Sequence, residues 1–309
     1  MPRAAYAAHA RFIEPARAVS DLRLLVVGVL LVEVIYLATS HLIDPFFTLF
    51  DVIPAYEVRN GSTPAGLRVQ LFSFVTLGLA VVLVVRHLHG RGFLSLLGPV
   101  GPVLRQTMQV TVIAGGLMLA VQILWLDPEM LRYAEMRPLG PWLALLPLSL
   151  AAILVQSGAE ELFYRGYVQQ QLAARYDTPW SWMVLPSLLF AAAHYSPDMS
   201  YVEAVQYLLW AFCFGVAAAD LTARSGHLGP AIGFHLVNNA MAFLIYGEAQ
   251  GMDSGLALFL FPSELAPGAF PDALPEEAFV DPPAFDLVFV LDMAGIVMLW
   301  IAARIAIWR

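Results

Sequence analysis

Charged and amide side chains stand inside the most hydrophobic stretches of this sequence, where such groups are costly and usually serve a function. Glu160 and Glu161 are adjacent, and Arg165 follows Glu161 by four residues. On a helix this spacing puts Glu161 and Arg165 on one face, where they can form an ion pair. Glu160 points about 100° away from Glu161. One carboxylate is therefore neutralised by arginine, and the other is free to face a cavity.

Two histidines and an asparagine add the remaining groups. Phe190 precedes His194 by four residues, and His235 precedes Asn239 by the same spacing. A carboxylate and a histidine that share a water form a general-base site. A second histidine and an amide can donate hydrogen bonds to a developing oxyanion. Since no Gly-x-Ser-x-Gly nucleophile motif is present, these residues favour a hydrolase that attacks an acyl group with water.

The composition indicates what kind of chain carries these residues. Of 309 residues, 60% are hydrophobic and 13% are charged, whereas a soluble domain carries about 25% charged residues. The mean hydropathy is +0.72. A net charge of −8 without any lysine argues against a nucleic-acid-binding surface. The single Cys213 excludes an intrachain disulfide and a cysteine-rich metal site. What remains is an all-α polytopic membrane protein, expected as a multi-pass protein of the cell (inner) membrane.

The hydrophobic stretches are long enough for spanning helices, which need about 20 apolar residues. They predict eight transmembrane helices, at 22–41, 67–86, 107–126, 141–173, 179–195, 203–221, 229–247 and 285–306. Arginines concentrate at the N-terminus and in alternate connections, and the other connections are acidic. The positive-inside rule therefore predicts that both termini are cytoplasmic.

The chain is interpreted as one membrane domain over residues 1–309. Residues 145–247 form its motif-bearing core. Residues 248–284 are acidic and rich in proline, which predicts an extracytoplasmic loop with a short surface helix around Leu256–Phe261. Residue counts at ~1.5 Å per residue predict that the polar side chains meet at one level, nearer the cytoplasmic half.

Three spacings, in this order on successive hydrophobic segments, carry a resemblance to a known family: Glu160-Glu161-x3-Arg165, Phe190-x3-His194 and His235-x3-Asn239. They resemble the CPBP (Abi) family of intramembrane glutamic endopeptidases, which includes the type II CAAX prenyl endopeptidases. The resemblance covers roughly residues 145–247. It implies a metal-independent protease whose substrate is a membrane-associated or prenylated protein or peptide.

The same resemblance implies roles for single residues. Glu160 with His194 would activate the water, and His235 with Asn239 would form the oxyanion site. Supporting roles fall to three others, which would hold the site together, place the substrate or pack beneath it: Glu161, Arg165 and Phe190. Glu33 and Asp292 also lie in predicted spans, but no role follows from the pattern.

Other functions remain open from the sequence. The same Glu and His residues could relay protons in a transporter, although no inverted repeat is evident. They could also hold a metal, because three ligands and a water would suffice. A non-catalytic scaffold or immunity protein is a further alternative. The expected partners are a peptide or lipidated protein and the lipid bilayer, with no nucleic acid and no required cofactor; the oligomeric state is not indicated.

Overall fold

The computed structural model describes residues 4–49, 53–125, 128–262 and 285–308. Helices dominate, and they are numbered in chain order: α1 Ala7–Arg17, α2 Leu22–Leu49, α3 Ala55–Asn60, α4 Pro64–Ser73, α5 Val75–His89, α6 Leu94–Leu97, α7 Val100–Leu124, α8 Pro128–Leu131, α9 Leu139–Glu161, α10 Gln170–Arg175, α11 Leu185–Ala192, α12 Tyr201–Ser225, α13 Gly229–Leu244 and α14 Leu287–Ala306. A 3₁₀ turn, Ala4–Tyr6, precedes α1. Two π-helical segments, Leu162–Gln169 and Trp180–Val184, precede α10 and α11.

Six helical stretches are long and apolar enough to cross a membrane: Leu22–Leu42, Pro64–His89, Val100–Leu124, Leu139–Arg175, Tyr201–Ser225 and Leu287–Ala306. The prediction of an all-α polytopic membrane fold is confirmed. The predicted spans 179–195 and 229–247 correspond to shorter helices, Trp180–Ala192 and Gly229–Leu244. For these two, crossing of the membrane stays a prediction. They are the segments that lead to His194 and carry His235.

Helix α13 lies inside the bundle, packed against α7, α9, α12 and α14. Every residue from Gly229 to Val237 is buried. Small residues allow the close approach of α7: a Cβ at Gly233 would lie 2.7 Å from the Thr107 carbonyl oxygen. Thr107 Oγ1 donates a 3.0 Å hydrogen bond to the Gly229 carbonyl. Helix α13, which is short and carries polar side chains, therefore lies inside the bundle, where most of it does not contact lipid.

Alternate connections of the bundle meet at the same end. At one end, which we call the Arg-rich end, α1 packs on α10 and α12, and the Leu228 amide donates to the Leu97 carbonyl at 3.0 Å. At the other, the acidic end, the Asp253 amide donates to the Asn60 carbonyl at 2.8 Å. This grouping agrees with the alternation of arginine and acidic residues. Which end faces the cytoplasm stays a prediction.

A small sheet closes the acidic end. Its strands are β1 Glu135–Met136, β2 Tyr246–Glu248 and β3 Phe259–Phe261. Strand β3 lies in the middle, antiparallel to β1 with Glu135 opposite Leu260, and parallel to β2 with Tyr246 opposite Phe259. The surface helix predicted around Leu256–Phe261 is wrong: backbone pairing with β1 and β2 draws Phe259–Phe261 into a strand. Residues 263–284 of the predicted loop lie outside the described residues.

Candidate active site

The centre of the site is a buried ion pair at the end of α9. Arg165 Nη1 donates to Glu161 Oε1 at 3.0 Å, and the two side chains are 1% and 0% exposed. Arg165 Nη2 also donates to the Gly215 carbonyl of α12 at 3.2 Å. The guanidinium lies 4.8 Å from the ring centroid of Phe190, in cation–π range. The spacing-based prediction of this pair is confirmed, and the pair joins α9, α11 and α12.

His235 lies between the two adjacent carboxylates. Its Nδ1 is 2.8 Å from Glu161 Oε1, and its Nε2 is 3.6 Å from Glu160 Oε2. Glu161 Oε1 already accepts from Arg165, so it is a carboxylate acceptor and His235 Nδ1 carries the hydrogen. The hydrogen bond to Glu161 of α9 therefore fixes the tautomer of His235, which lies on α13. Nε2 is left to face Glu160.

Glu160 has one satisfied and one unsatisfied oxygen. Gln156 Nε2 donates to Glu160 Oε1 at 2.7 Å. Oε2 is buried and has no hydrogen-bond partner among the described residues. The π-helical turn begins at Leu162, directly after the two carboxylates, and such turns are frequent at functional sites.

Asn239 is fixed by a second contact from Gln156. Asn239 Nδ2 donates to Gln156 Oε1 at 2.7 Å, and Asn238 Nδ2 donates to Asn239 Oδ1 at 3.0 Å. Gln156 therefore bridges Glu160 and Asn239 with the two ends of one amide. The sequence interpretation missed Gln156. Its signal was present, because it precedes Glu160 by one helical turn in an otherwise apolar stretch.

His194 does not lie on a helix. Helix α11 ends at Ala192, and His194 occupies the following turn, with its amide bonded to the Ala191 carbonyl at 2.9 Å. His194 Nδ1 donates to the Phe190 carbonyl at 2.7 Å. This bond leaves Nε2 as the acceptor. Among the described residues, no hydrogen bond joins His194 to Glu160, so the expected pairing stays a prediction.

Aromatic rings separate the two histidines. The Phe190 ring centroid is 4.4 Å from that of His194 and 6.0 Å from that of His235. On α12, Phe214 lies 4.9 Å from His235, and Tyr207 lies 5.7 Å from His194. Phe214 is near the middle of α12, and Tyr207 is two turns nearer the acidic end. The site therefore extends from mid-bundle towards the acidic end, and its expected position nearer the cytoplasmic half stays a prediction.

A comparison of the sequence with models of known families shows which family this part of the chain resembles. Residues 141–241 match the family model described as Rce1-like: type II CAAX prenyl endopeptidase Rce1-like. The resemblance inferred from the three spacings is confirmed. The Rce1-like region contains every residue predicted for the site: Glu160, Glu161, Arg165, Phe190, His194, His235 and Asn239. It supports a CAAX-type endopeptidase, hence a membrane-bound protease and hydrolase, as the general class. No curated protein and no solved structure matches the chain significantly.

Glu33 and Asp292, the two other acidic residues noted in the predicted spans, lie outside the Rce1-like region. Glu33, half-buried on α2, lies within electrostatic range of Tyr36 and Tyr164, and both tyrosines are also in range of Glu160. Asp292 of α14 is exposed and lines a groove with Tyr207. Glu33 is thus near the candidate active site, and Asp292 shares a groove with Tyr207, whose ring contacts that of His194.

That groove has a volume of about 700 Å³ and opens at the acidic end. Its lining combines aromatic and acidic side chains with two methionines and two neutral polar residues, and it includes Trp210, Phe289, Asp198 and Glu203. Because Tyr207 contacts the His194 ring, the groove leads to the candidate active site from the side. Over the described part of the chain, no group of three His, Cys, Asp or Glu side chains is placed to hold a metal ion.

Proposed function

We propose that this protein is a metal-independent intramembrane glutamic endopeptidase of the cell membrane. Its substrate in this proposal is a membrane-associated or prenylated protein or peptide, which enters through the groove beside Tyr207. The observation that supports the proposal most is Glu160: Oε1 is held by Gln156, and buried Oε2 has no hydrogen-bond partner among the described residues. An oriented carboxylate oxygen of this kind can accept a proton from water.

The reaction then needs no covalent intermediate. Glu160 Oε2 takes one proton from a water as the water oxygen bonds to the scissile carbonyl carbon, and the carbonyl π electrons move onto its oxygen. An electron pair of the oxyanion then re-forms the C=O bond, and the C–N bond breaks with its electron pair staying on the nitrogen. The proton held by Glu160 passes to that nitrogen. The products are a carboxyl group and an amine, and Glu160 is a carboxylate again.

Asn239 and His235 are the proposed donors to the oxyanion. Asn239 uses one amide N–H on Gln156, so the second N–H is available. His235 Nδ1–H is committed to Glu161, so Nε2 can donate to the oxyanion only when the ring is an imidazolium. At that stage Glu160 holds the proton taken from water, so Glu161 and the oxyanion itself supply the negative charge that such a cation requires. His235 therefore acts in this proposal through a charged form that Glu161 and the oxyanion support.

His194 is proposed to orient the attacking water. Its Nδ1–H is used by the Phe190 carbonyl, so Nε2 can only accept a hydrogen bond from water. The Phe190 ring keeps this acceptor apart from His235. The two histidines thus have different roles, one as acceptor and one as donor.

The deciding experiment replaces Glu160 with glutamine, which keeps the shape and the bond from Gln156 but removes the proton acceptor. A deletion strain is complemented with wild type, with Glu160→Gln or with Glu14→Gln, a control at an exposed carboxylate on α1. Mass spectrometry then compares the termini of membrane proteins and peptides. We expect a set of termini that depends on wild type or Glu14→Gln and is lost with Glu160→Gln. Identical termini from all three strains, at equal expression, would refute proteolysis.

A further inference from the structure

A second cavity lies at the Arg-rich end of the bundle, whereas the groove beside Tyr207 lies at the acidic end. Its volume is about 480 Å³, and it is enclosed by α1, the α6–α7 segment and the connection from α12 to α13. The polar side chains among its lining residues are Arg11, Ser95, Gln106, Ser225 and His227. None of its lining residues carries a carboxylate. The cavity therefore offers donors and positive charge.

His227 presents a fixed donor in this cavity. The side chain is 4% exposed, and its Nδ1 accepts a 3.1 Å hydrogen bond from the Gly229 amide. Burial and the nearby charge of Arg105 lower the pKa of His227 to about 4, so the ring is neutral at pH 7. Because Nδ1 is an acceptor, the single hydrogen is on Nε2. That N–H has no hydrogen-bond partner within the described part of the chain.

Two further groups of the cavity have no described partner. Gln106 Oε1 is buried and accepts no hydrogen bond among the described residues. Arg11 is exposed on α1 and makes no described ion pair, because the neighbouring Glu14 pairs with Arg17 at 2.9 Å. A ligand that satisfies these groups needs anionic oxygens for Arg11 and His227, and a hydroxyl or amine for Gln106.

We propose that this cavity binds the phosphodiester headgroup of an anionic phospholipid that carries a hydroxyl, such as phosphatidylglycerol. The phosphate oxygens accept from the guanidinium of Arg11 and from Nε2–H of His227, and the headgroup hydroxyl donates to Gln106 Oε1. Basic cavities between membrane helices are suited to anionic headgroups. The apolar lining residues, among them Pro99 and Pro102, would contact the glycerol backbone and the start of the acyl chains.

Occupation of the cavity would connect α1 to the catalytic core. Helix α1 docks closely here, since a Cβ at Gly226 would lie 2.5 Å from the Ala8 carbonyl oxygen. Gln170 Nε2 donates to the carbonyls of Phe12 and Ser95 at 2.6 and 2.8 Å. His227 lies eight residues before His235. A headgroup between Arg11 and His227 therefore holds α1 against the segment that starts α13.

The test is a lipid titration of the purified full chain in a neutral detergent, read as the melting temperature. Phosphatidylglycerol, phosphatidylcholine with the same acyl chains, and free glycerol phosphate are compared. We expect phosphatidylglycerol to raise the melting temperature in a saturable way, since a ligand that binds only the folded state stabilises it. We expect the other two to have little effect. An equal rise with phosphatidylcholine, or a full rise with glycerol phosphate alone, would overturn the lipid assignment.

Two variants distinguish this cavity from other lipid sites. Arg11→Gln should weaken the apparent affinity for phosphatidylglycerol about tenfold, because it removes one charge-assisted hydrogen bond. Arg86→Gln, at an exposed arginine of the same end, is the control and should leave the affinity unchanged. Gln106→Leu should not lower the lipid-free melting temperature, yet should reduce the shift caused by phosphatidylglycerol. An unchanged titration in both Arg11→Gln and Gln106→Leu would refute the site.

Discussion

At the scale of single residues, consecutive hydrogen bonds in the site determine which atoms carry a proton. Arg165 makes Glu161 an acceptor, Glu161 makes His235 Nδ1 a donor, and His235 then presents Nε2 to Glu160. Each of these residues determines the protonation state of the next one, and the buried surroundings keep water from competing for the hydrogen bonds. Removing one member therefore affects the protonation of those that follow, as well as local packing.

Arg165 should be needed for stability as well as activity. Arg165→Ala leaves Glu161 with a buried charge and no cation, which costs about 3–5 kcal/mol in similar buried pairs. We expect a large fall in the thermal unfolding temperature in detergent. The double variant Glu161→Gln/Arg165→Met should recover most of the stability, because it removes both charges, while remaining inactive. If Arg165→Ala melts like wild type, the pair is not the buried unit described above.

Gln156 should act as a positioning residue for catalysis. Gln156→Leu keeps the size of the side chain but loses the bonds to Glu160 and Asn239, and we expect kcat to fall about tenfold or more. KM should change little, because neither bond needs to contact the substrate. Ser149→Ala is the control: Ser149 is buried on the same helix and bonds only to Leu145 of its own turn. A change in KM alone would assign Gln156 to substrate binding. Peptides identified by the mass-spectrometric comparison of termini provide the substrates for the activity measurements.

At the scale of elements, the sequence predicted pairs within a helix and missed pairs between helices. The i,i+4 spacing of Glu161 and Arg165 settles their contact, since both lie on one backbone. The bond from His235 to Glu161 joins residues 74 apart, and spacing carries no information on it. Likewise, the span predicted at 179–195 missed the end of α11 at Ala192, because the apolar run continues through Ala193. The strand at Phe259–Phe261 depends on partners far along the chain.

The contact of α7 with α13 should tolerate very little added volume. A methyl group at Gly233 would approach the Thr107 carbonyl and the Val110 side chain, at 2.7 and 3.0 Å. We expect Gly233→Ala to cost about 1–3 kcal/mol of stability and to reduce activity, since α13 carries His235. On α7 itself, Gly116 has open space around it, so Gly116→Ala should be neutral or slightly stabilising. Thermal unfolding of both variants measures the difference, and equal melting temperatures would contradict the close packing.

At the scale of the whole molecule, the N-terminal helix is docked on the bundle through neutral buried groups. His9 is 5% exposed, its ring centroid lies 4.6 Å from that of Trp182, and its Nε2 has no described hydrogen-bond partner. Burial lowers the pKa of His9 to about 4. Tyr6 donates to Asp220 at 2.7 Å, beside the pair of Asp220 with Arg224. The attachment of α1 is therefore sensitive to acid.

The pH dependence follows from the direction of the His9 shift. Above the unfolded pKa of about 6.5 the ring is neutral in both states, and His9 adds no pH dependence. As pH falls from 6.5 to 4, the unfolded chain binds a proton that the folded chain does not, so stability decreases by up to about 3 kcal/mol. His9→Phe should reduce the slope of the unfolding temperature over this range and leave the part due to His227, whose pKa is also lowered to about 4. The control His87→Gln, at an exposed histidine, should keep the slope; equal slopes in wild type and His9→Phe would contradict the assignment.

The short segment Trp180–Ala192 has a consequence for the surrounding lipid. Its 13 residues give a length of roughly 20 Å, against a hydrocarbon thickness of about 30 Å. If this segment crosses the bilayer as predicted, the lipids that border it must thin, or polar headgroups and water must descend to its end. His194 lies at that end, so the bilayer itself would deliver water to the proposed catalytic groups without a channel through the protein. Bilayer thickness then becomes part of the enzyme's reaction environment, and membranes with shorter acyl chains would hydrate the site most readily.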